Sequence, residues 1–141
     1  LNYDLTIFYN NYNIELDRAL DNKYKVDIEF DEVFLDFDDC LILDDAKFNL
    51  DIMKFIFKCH NLNIKISIIS KHKGNLNKRL KELKIFELFE RVIHIHPDEE
   101  KSDYIDNKNA IFIDDSSAER YDVFKEIGIP VYSPDMVESL I

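Results

Sequence analysis

Carboxylates crowd this chain where an apolar run stops. Val33-Phe34-Leu35 leads straight into Asp36-Phe37-Asp38-Asp39, with Cys40-Leu41 behind them. Holding Asp36, Asp38 and Asp39 together costs like-charge repulsion, which a bound cation relieves. Ala110-Ile111-Phe112-Ile113 repeats the theme by running into Asp114-Asp115. Oxygen donors of this kind select a hard ion such as Mg2+. If the two acidic ends lie side by side, they supply ligands to one site. A single such Asp would as readily cap a helix or make a turn. Recurrence at successive run ends is what gives the pattern weight.

The elements that must position these groups follow from the apolar spacing. Short β-prone runs are what a parallel sheet buries on both faces, so 33–35 and 110–113 are read as inner strands. Their carboxylates then stand at the carboxyl edge of the sheet, where open α/β folds hold ligands. Asp44-Asp45, between two short runs, predicts a tight hairpin. A helix is expected from Asn49, with Ile52, Met53, Ile56 and Phe57 facing inward. A second buried strand over 64–70 ends on the hydroxyl of Ser70. Leu76, Leu80 and Leu83 form the core stripe of the next helix. Arg91 to His96 reads as a third strand, and Pro97 opens another helix with acidic residues in its first turn. Ser116-Ser117 start a helix whose core side is Val123, Phe124 and Ile127, and Gly128 stops it. A short strand over 129–132 and a closing helix over 134–140 complete the chain. This alternation predicts a three-layer α/β/α sandwich with a mostly parallel, Rossmann-like sheet.

Residues 1–31 are less regular and are read as an N-terminal extension to a domain over 32–141. Tyr3, Leu5, Ile7 and Tyr9 alternate like a strand, Ile14, Leu16, Ala19 and Leu20 suit a short helix, and Tyr24, Val26, Ile28 and Phe30 suit a half-exposed strand. The expectation is an extra strand–helix element packed on the domain, with the tail of a preceding domain as the other reading. Leu1 in place of a methionine fits a piece of a longer protein. The whole, 141 residues with 46% hydrophobic side chains, is one globular domain in size. A net charge of −11 argues against nucleic acid or an anionic membrane as partner. No apolar run approaches the roughly 20 residues of a membrane span. Two distant cysteines, Cys40 and Cys59, and no basic-then-apolar leader fit the cytoplasm.

The acidic stretch Asp36-Phe37-Asp38-Asp39-Cys40-Leu41 resembles the first motif, Asp-x-Asp-x-Thr/Val, of the haloacid dehalogenase (HAD) superfamily of aspartate-nucleophile phosphatases. Ser70 stands where the second motif has Ser or Thr at a strand end, and Lys101 where the third has a lysine. Asp114-Asp115 resembles the acidic fourth motif. The resemblance covers about residues 32–141. It implies a HAD-type sheet and Mg2+-dependent hydrolysis of a phosphomonoester through an aspartyl-phosphate. By the same resemblance Asp36 is the nucleophile and Asp38 the general acid and base. Ser70 binds a phosphoryl oxygen, and Lys101 neutralises charge, with Lys73 as its substitute. Asp36, Asp38 through a backbone carbonyl, Asp114 and Asp115 are the implied metal set, with Glu119 a second candidate for the outer role. Two positions depart from the family: Cys40 where Thr or Val is usual, and Asp39 where Gly is frequent. Cys40 is a poor hydrogen-bond donor, so the order of its loop bears directly on activity.

Neither place where the family inserts a cap has room for one here, so the site is expected to be open. Openness in this family goes with large substrates, or with closure by another domain or subunit. A second reading is therefore a non-catalytic or regulatory HAD-like module of a larger multidomain enzyme. The stretch from Phe112 to Ser116 and on to Val131 also resembles HAD-like domains appended to ATP-grasp proteins. A receiver domain uses the same residue types but carries its acidic pair and its phosphorylated Asp in another order. His94 and His96 share a strand face as a metal pair would, yet no third ligand is near, so a polar strand end is expected. Lys71, His72 and Lys73, directly after Ser70, are placed to steer an anionic substrate. The basic residues beyond them read as a solvated helix face.

Overall fold

The computed structural model describes residues 28–141; the strand expected over 3–9 and the helix over 14–20 lie outside the described residues. Of the strand expected over 24–30, the described end, 28–30, is irregular, although Ile28 and Phe30 pack on the core. Seven strands and three helices follow: β1 (Glu32–Leu35), β2 (Ile42–Leu43), β3 (Lys47–Phe48), α1 (Leu50–Asn61), β4 (Lys65–Ser70), α2 (Leu76–Glu82), β5 (Arg91–His94), β6 (Ala110–Ile113), α3 (Ser117–Ile127) and β7 (Val131–Tyr132). Five of the strands form one sheet in the order β5-β4-β1-β6-β7, every pairing parallel. The chain moves outward from β1 through β4 and β5, then returns to β6 and β7 on the other side. A topological switch point therefore lies at the carboxyl end of β1, where such sheets open a crevice.

Alternation along the strands divides the interior in two. Val33, Leu35, Ile66, Ile68, Ile111 and Ile113 face α1, α2 and a 3-10 turn over Pro134–Ser139. Phe34, Ile69, Ala110 and Phe112 face the other way, onto Val123, Ile105 and Ile129. The three-layer sandwich is thus present, with α3 and a 3-10 turn over Lys101–Tyr104 on its second face.

Local chemistry sets the boundaries. Asn49 caps α1 by accepting from the N–H groups of Asp51 and Ile52, Asn75 caps α2, and Ser116 caps α3. Gly128 closes α3 with φ of 86°, a left-handed position that glycine takes without strain. Asp44 and Asp45 have φ of 52° and 56° between β2 and β3, the paired positive values of a type I′ turn. The predicted hairpin is there.

Several side chains and boundaries differ from the reading of the sequence. Phe57 is 52% exposed, and Phe55 is buried in its place. The stripe of α1 is Ile52, Phe55, Ile56 and Cys59, the i, i+3, i+4, i+7 set of a helix face; Phe57, five positions from Ile52, falls well off it. Phe124 is likewise exposed, whereas Val123 is buried and Ile127 packs against the core as expected. The third strand stops at His94, and no α-helix begins at Pro97. The stretch after Pro97 has no apolar stripe to bury, and only Lys101–Tyr104 coils, as a 3-10 turn. The closing element is also 3-10 rather than α-helical.

At the end of the sheet opposite the acidic groups, Glu32, the first residue of β1, is buried. It accepts from the Ser67 hydroxyl (2.8 Å), Asn107 (3.0 Å) and Arg91 (3.2 Å). Truncation to alanine strands the fully buried Ser67 hydroxyl and releases Arg91 from one of its two carboxylate partners. Glu32→Ala is expected to cost about 2–4 kcal/mol, seen as a lower urea midpoint. An unchanged midpoint would mean that this network is not needed to hold β1 between its neighbours.

Candidate active site

The register of the sheet brings the two acidic strand ends together. Leu35 pairs with Ile113, and the ladder continues one residue further, the Asp36 N–H donating to the Ile113 carbonyl at 3.0 Å. Asp114 extends β6 in the same way, its N–H donating to the Tyr132 carbonyl at 3.1 Å. Asp36 and Asp114 therefore stand side by side at the switch point, both buried. Lys101 reaches between them from its 3-10 turn. Its Nζ donates to Asp36 Oδ1 at 2.9 Å and to Asp114 Oδ2 at 2.8 Å, above the ring of Phe112. Oxygens of Asp36, Asp114 and Asp115 all lie within 4.8 Å of one another.

Three carboxylates around one ammonium leave the cluster short of positive charge. The Asp36 pKa is raised to about 8, chiefly by burial; Lys101 opposes the rise without cancelling it, and Asp114 adds to it. Asp115 is also raised, by burial first and then by Asp114. Burial disfavours the charge on Lys101, yet the two carboxylates outweigh it and hold its pKa above the usual lysine value. A donor set of carboxylate oxygens with unbalanced negative charge fits a divalent hard cation. Asp36, Asp114 and Asp115 would hold it.

This carries a pH prediction. An unfolded Asp36 loses its proton near 3.8, whereas the folded one keeps it to about 8. Between those values the fold binds the extra proton, so the contribution of Asp36 to stability declines as pH rises. A Mg2+ ion held there would compete with that proton, so the rise in Tm on adding Mg2+ is expected to be larger at pH 8 than at pH 6. Equal Mg2+ shifts at the two pH values would refute the assignment of Asp36 as a ligand.

The loop after Asp36 is closed by backbone hydrogen bonds, its two departures from the family pattern included. The Phe37 carbonyl faces the N–H groups of Cys40, Leu41 and Ile42, and the Asp39 N–H donates to the Ile42 carbonyl at 2.7 Å. Asp39 has φ of 58°, the left-handed region that glycine occupies freely and Asp tolerates better than most residues. Cys40 is buried, and the Asn49 amide donates to its carbonyl at 3.1 Å, tying the loop to α1. Burial, then Asp36, Asp114 and Asp115, push its thiol pKa far up. Cys40 is a neutral packing group, not a second nucleophile.

Asp38 and Ser70 lie apart from the carboxylate cluster in their contacts. The half-buried Asp38 pairs with the ring of His72, Nδ1 to Oδ2 at 2.8 Å. Its side chain is not one of the three clustered carboxylates, so a metal-binding role for Asp38 would fall to its backbone. Ser70, buried at the end of β4, accepts from the His72 N–H at 3.0 Å. Lys71 is paired with Glu119 at 2.9 Å, joining the loop after β4 to the first turn of α3 on either side of β1. That pairing draws on both the expected steering lysine and the alternative outer carboxylate. Lys73, the substitute for Lys101, is exposed. His94 Nε2 donates to the His72 carbonyl at 2.6 Å, while His96 Nδ1 accepts from the Asp98 N–H. The two histidines serve separate local bonds.

Two supports were not legible beforehand. The Arg120 guanidinium donates to the Asp114 carbonyl at 2.7 Å, and His72 engages Asp38. Each lies outside the acidic pattern, and only the helical spacing of Arg120 from Ser116 hints that it turns back toward the strand end.

Neither a protein-family model nor any curated protein matches the sequence. Solved structures do match its fold. An uncharacterized protein from Corynebacterium glutamicum ATCC 13032 Kitasato aligns with a TM-score of 0.57 at 14% identity, over 74% of this chain and 84% of that one. The core domain of a candidate phosphoglycolate phosphatase from Streptococcus pneumoniae TIGR4 aligns with a TM-score of 0.56 at 13% identity, over 75% and 80%. The N-terminal part of protein BF1531 from Bacteroides fragilis, containing a phosphatase domain complexed with Mg, aligns with a TM-score of 0.56 at 19% identity. That alignment takes in 87% of this chain and 42% of the other. These likenesses show the fold, an α/β sandwich around a mostly parallel five-stranded sheet. No helix among the described residues is long and apolar enough to cross a membrane.

Proposed function

We propose that the chain is a Mg2+-dependent phosphomonoester hydrolase that works through an aspartyl-phosphate on Asp36. The observation that carries this reading is Lys101 held between Asp36 and Asp114, with Asp115 beside them, at the switch point of a HAD-like sheet. The fold likeness to phosphatase domains, one of them complexed with Mg, supports it. An Asp36 oxygen attacks phosphorus, the ester P–O bond breaks, and Asp38 gives its proton to the leaving oxygen. Asp38 then takes a proton from the water that attacks the aspartyl-phosphate, releasing inorganic phosphate and restoring Asp36. Ser70 already accepts from the His72 N–H, so its own proton is available for a phosphoryl oxygen. Lys101 stabilises charge gathering between Asp36 and phosphorus. Asp36, Asp114, Asp115 and the Asp38 backbone carbonyl would hold Mg2+, which would supply the positive charge that keeps Asp36 ionised and screens the phosphoryl oxygens.

Assay of p-nitrophenyl phosphate with Mg2+ and with excess chelator tests the reading. Turnover that needs Mg2+ supports it; turnover indifferent to chelator, or none with Mg2+ present, refutes it. The second reading, a non-catalytic or regulatory module of a larger enzyme, draws on the Bacteroides fragilis structure, of which this chain spans 42%. It predicts Mg2+ binding without turnover.

A further inference from the structure

We propose that His72 is a positioning residue that holds the Asp38 carboxyl in place for proton transfer, an inference that rests on the phosphatase reading above. Its Nδ1 lies 2.8 Å from Asp38 Oδ2 and 3.1 Å from Oδ1. Facing carboxyl oxygens, that nitrogen carries a hydrogen and donates it. A bond to one oxygen leaves the other to carry the proton toward the leaving group.

The ring is itself fixed from several elements. The His72 N–H donates to Ser70 Oγ at 3.0 Å, at the end of β4. The His72 carbonyl accepts from His94 at 2.6 Å, at the end of β5. Phe37, from the loop after β1, meets the ring edge-on with centroids 5.1 Å apart. Asp38 has less to hold it: its side chain is 43% exposed, and its only side-chain hydrogen bonds among the described residues are those to His72. An exposed aspartate samples several staggered rotamers, of which few bring the carboxyl to the scissile oxygen. The imidazole selects among them. His72 thus contributes to the rate through Asp38, without touching phosphate itself.

Leaving-group dependence separates this role from a structural one. A p-nitrophenolate departs without a proton, whereas an alkoxide needs one, so only alkyl esters depend strongly on Asp38 in the first step. kcat/KM reports that step and is unaffected by the later hydrolysis of the aspartyl-phosphate. His72→Phe keeps the ring against Phe37 and removes the donor; His72→Asn restores a donor close to the position of Nδ1. With Mg2+ present, His72→Phe is expected to lower kcat/KM for an alkyl phosphomonoester at least about tenfold more than for p-nitrophenyl phosphate. His72→Asn should recover most of that difference. If His72→Phe does not fold, His72→Ala against His72→Asn makes the same comparison. Equal losses on the two substrates, or an Asn variant no better than the one lacking a donor, would overturn the proposal while leaving the phosphatase reading intact. A wild-type protein without Mg2+-dependent turnover of either ester would remove the reading, and the inference with it.

Discussion

On the phosphatase reading, Asp36→Asn is expected to abolish Mg2+-dependent hydrolysis of an aryl phosphate, with kcat down by at least about 10³-fold, while the protein stays folded. An amide is isosteric with the carboxylate but is not a competent nucleophile, so no acyl-phosphate forms. The structural cost is expected to be small for a specific reason. Asp36 is buried against Asp114, and its pKa of about 8 means that ionisation is resisted in the fold. The Asn carbonyl can still accept from Lys101, as Asp36 Oδ1 does at 2.9 Å. Removing the charge therefore relieves repulsion as much as it removes attraction. Without Mg2+ the variant should unfold at or above the wild-type temperature, and the added stability from Mg2+ should shrink. Substantial turnover by a folded Asp36→Asn protein would place the nucleophile elsewhere and end the aspartyl-phosphate mechanism.

The parts of this site that were legible in the sequence belong to the sheet. Strand residues alternate strictly and strand ends are marked by a change from apolar to polar, so Asp36, Ser70 and Asp114 could be placed at the carboxyl edge before their neighbours were known. Parallel register then brings Asp36 beside Asp114. Lys101 was indicated by resemblance, not by pattern. It lies in a polar stretch without periodicity, and its burial follows from a short 3-10 turn that aims one side chain inward. The His72–Asp38 and Lys71–Glu119 pairs are less legible still. Each joins two loops that only the finished sheet brings together, and a charged residue just past a strand end has no preferred partner in sequence. Phe57 and Phe124 show the converse limit: an apolar residue beside a helix stripe is indistinguishable from one on it until the helix docks.

Lys101→Met should be the most destabilising of the substitutions considered, at about 3–5 kcal/mol near pH 9 without Mg2+. Methionine fills much of the same volume, so packing changes little and the loss is electrostatic. Lys101 is 3% exposed, and its ammonium is the only cation hydrogen-bonded to the Asp36 and Asp114 side chains among the described residues. Without it two buried carboxylates face each other and Asp115 stands close by. Protonation offers one escape. The Asp36 pKa, already about 8, rises further once Lys101 no longer lowers it. At pH 7 the carboxyl is therefore neutral in both proteins, and the deficit should be smaller than at pH 9, where the wild type ionises it and the variant resists. The sign is that of a raised carboxyl: its destabilising effect is absent below the unfolded pKa and grows as pH rises toward the folded one. Mg2+ offers the other escape, because a divalent ion satisfies the carboxylates that the lysine leaves behind. Urea unfolding at pH 7 and pH 9, each with and without Mg2+, resolves these effects. A deficit that is the same at both pH values and unmoved by Mg2+ would mean that Lys101 acts through packing alone, and the site would lose the charge balance on which the phosphoryl-transfer reading depends.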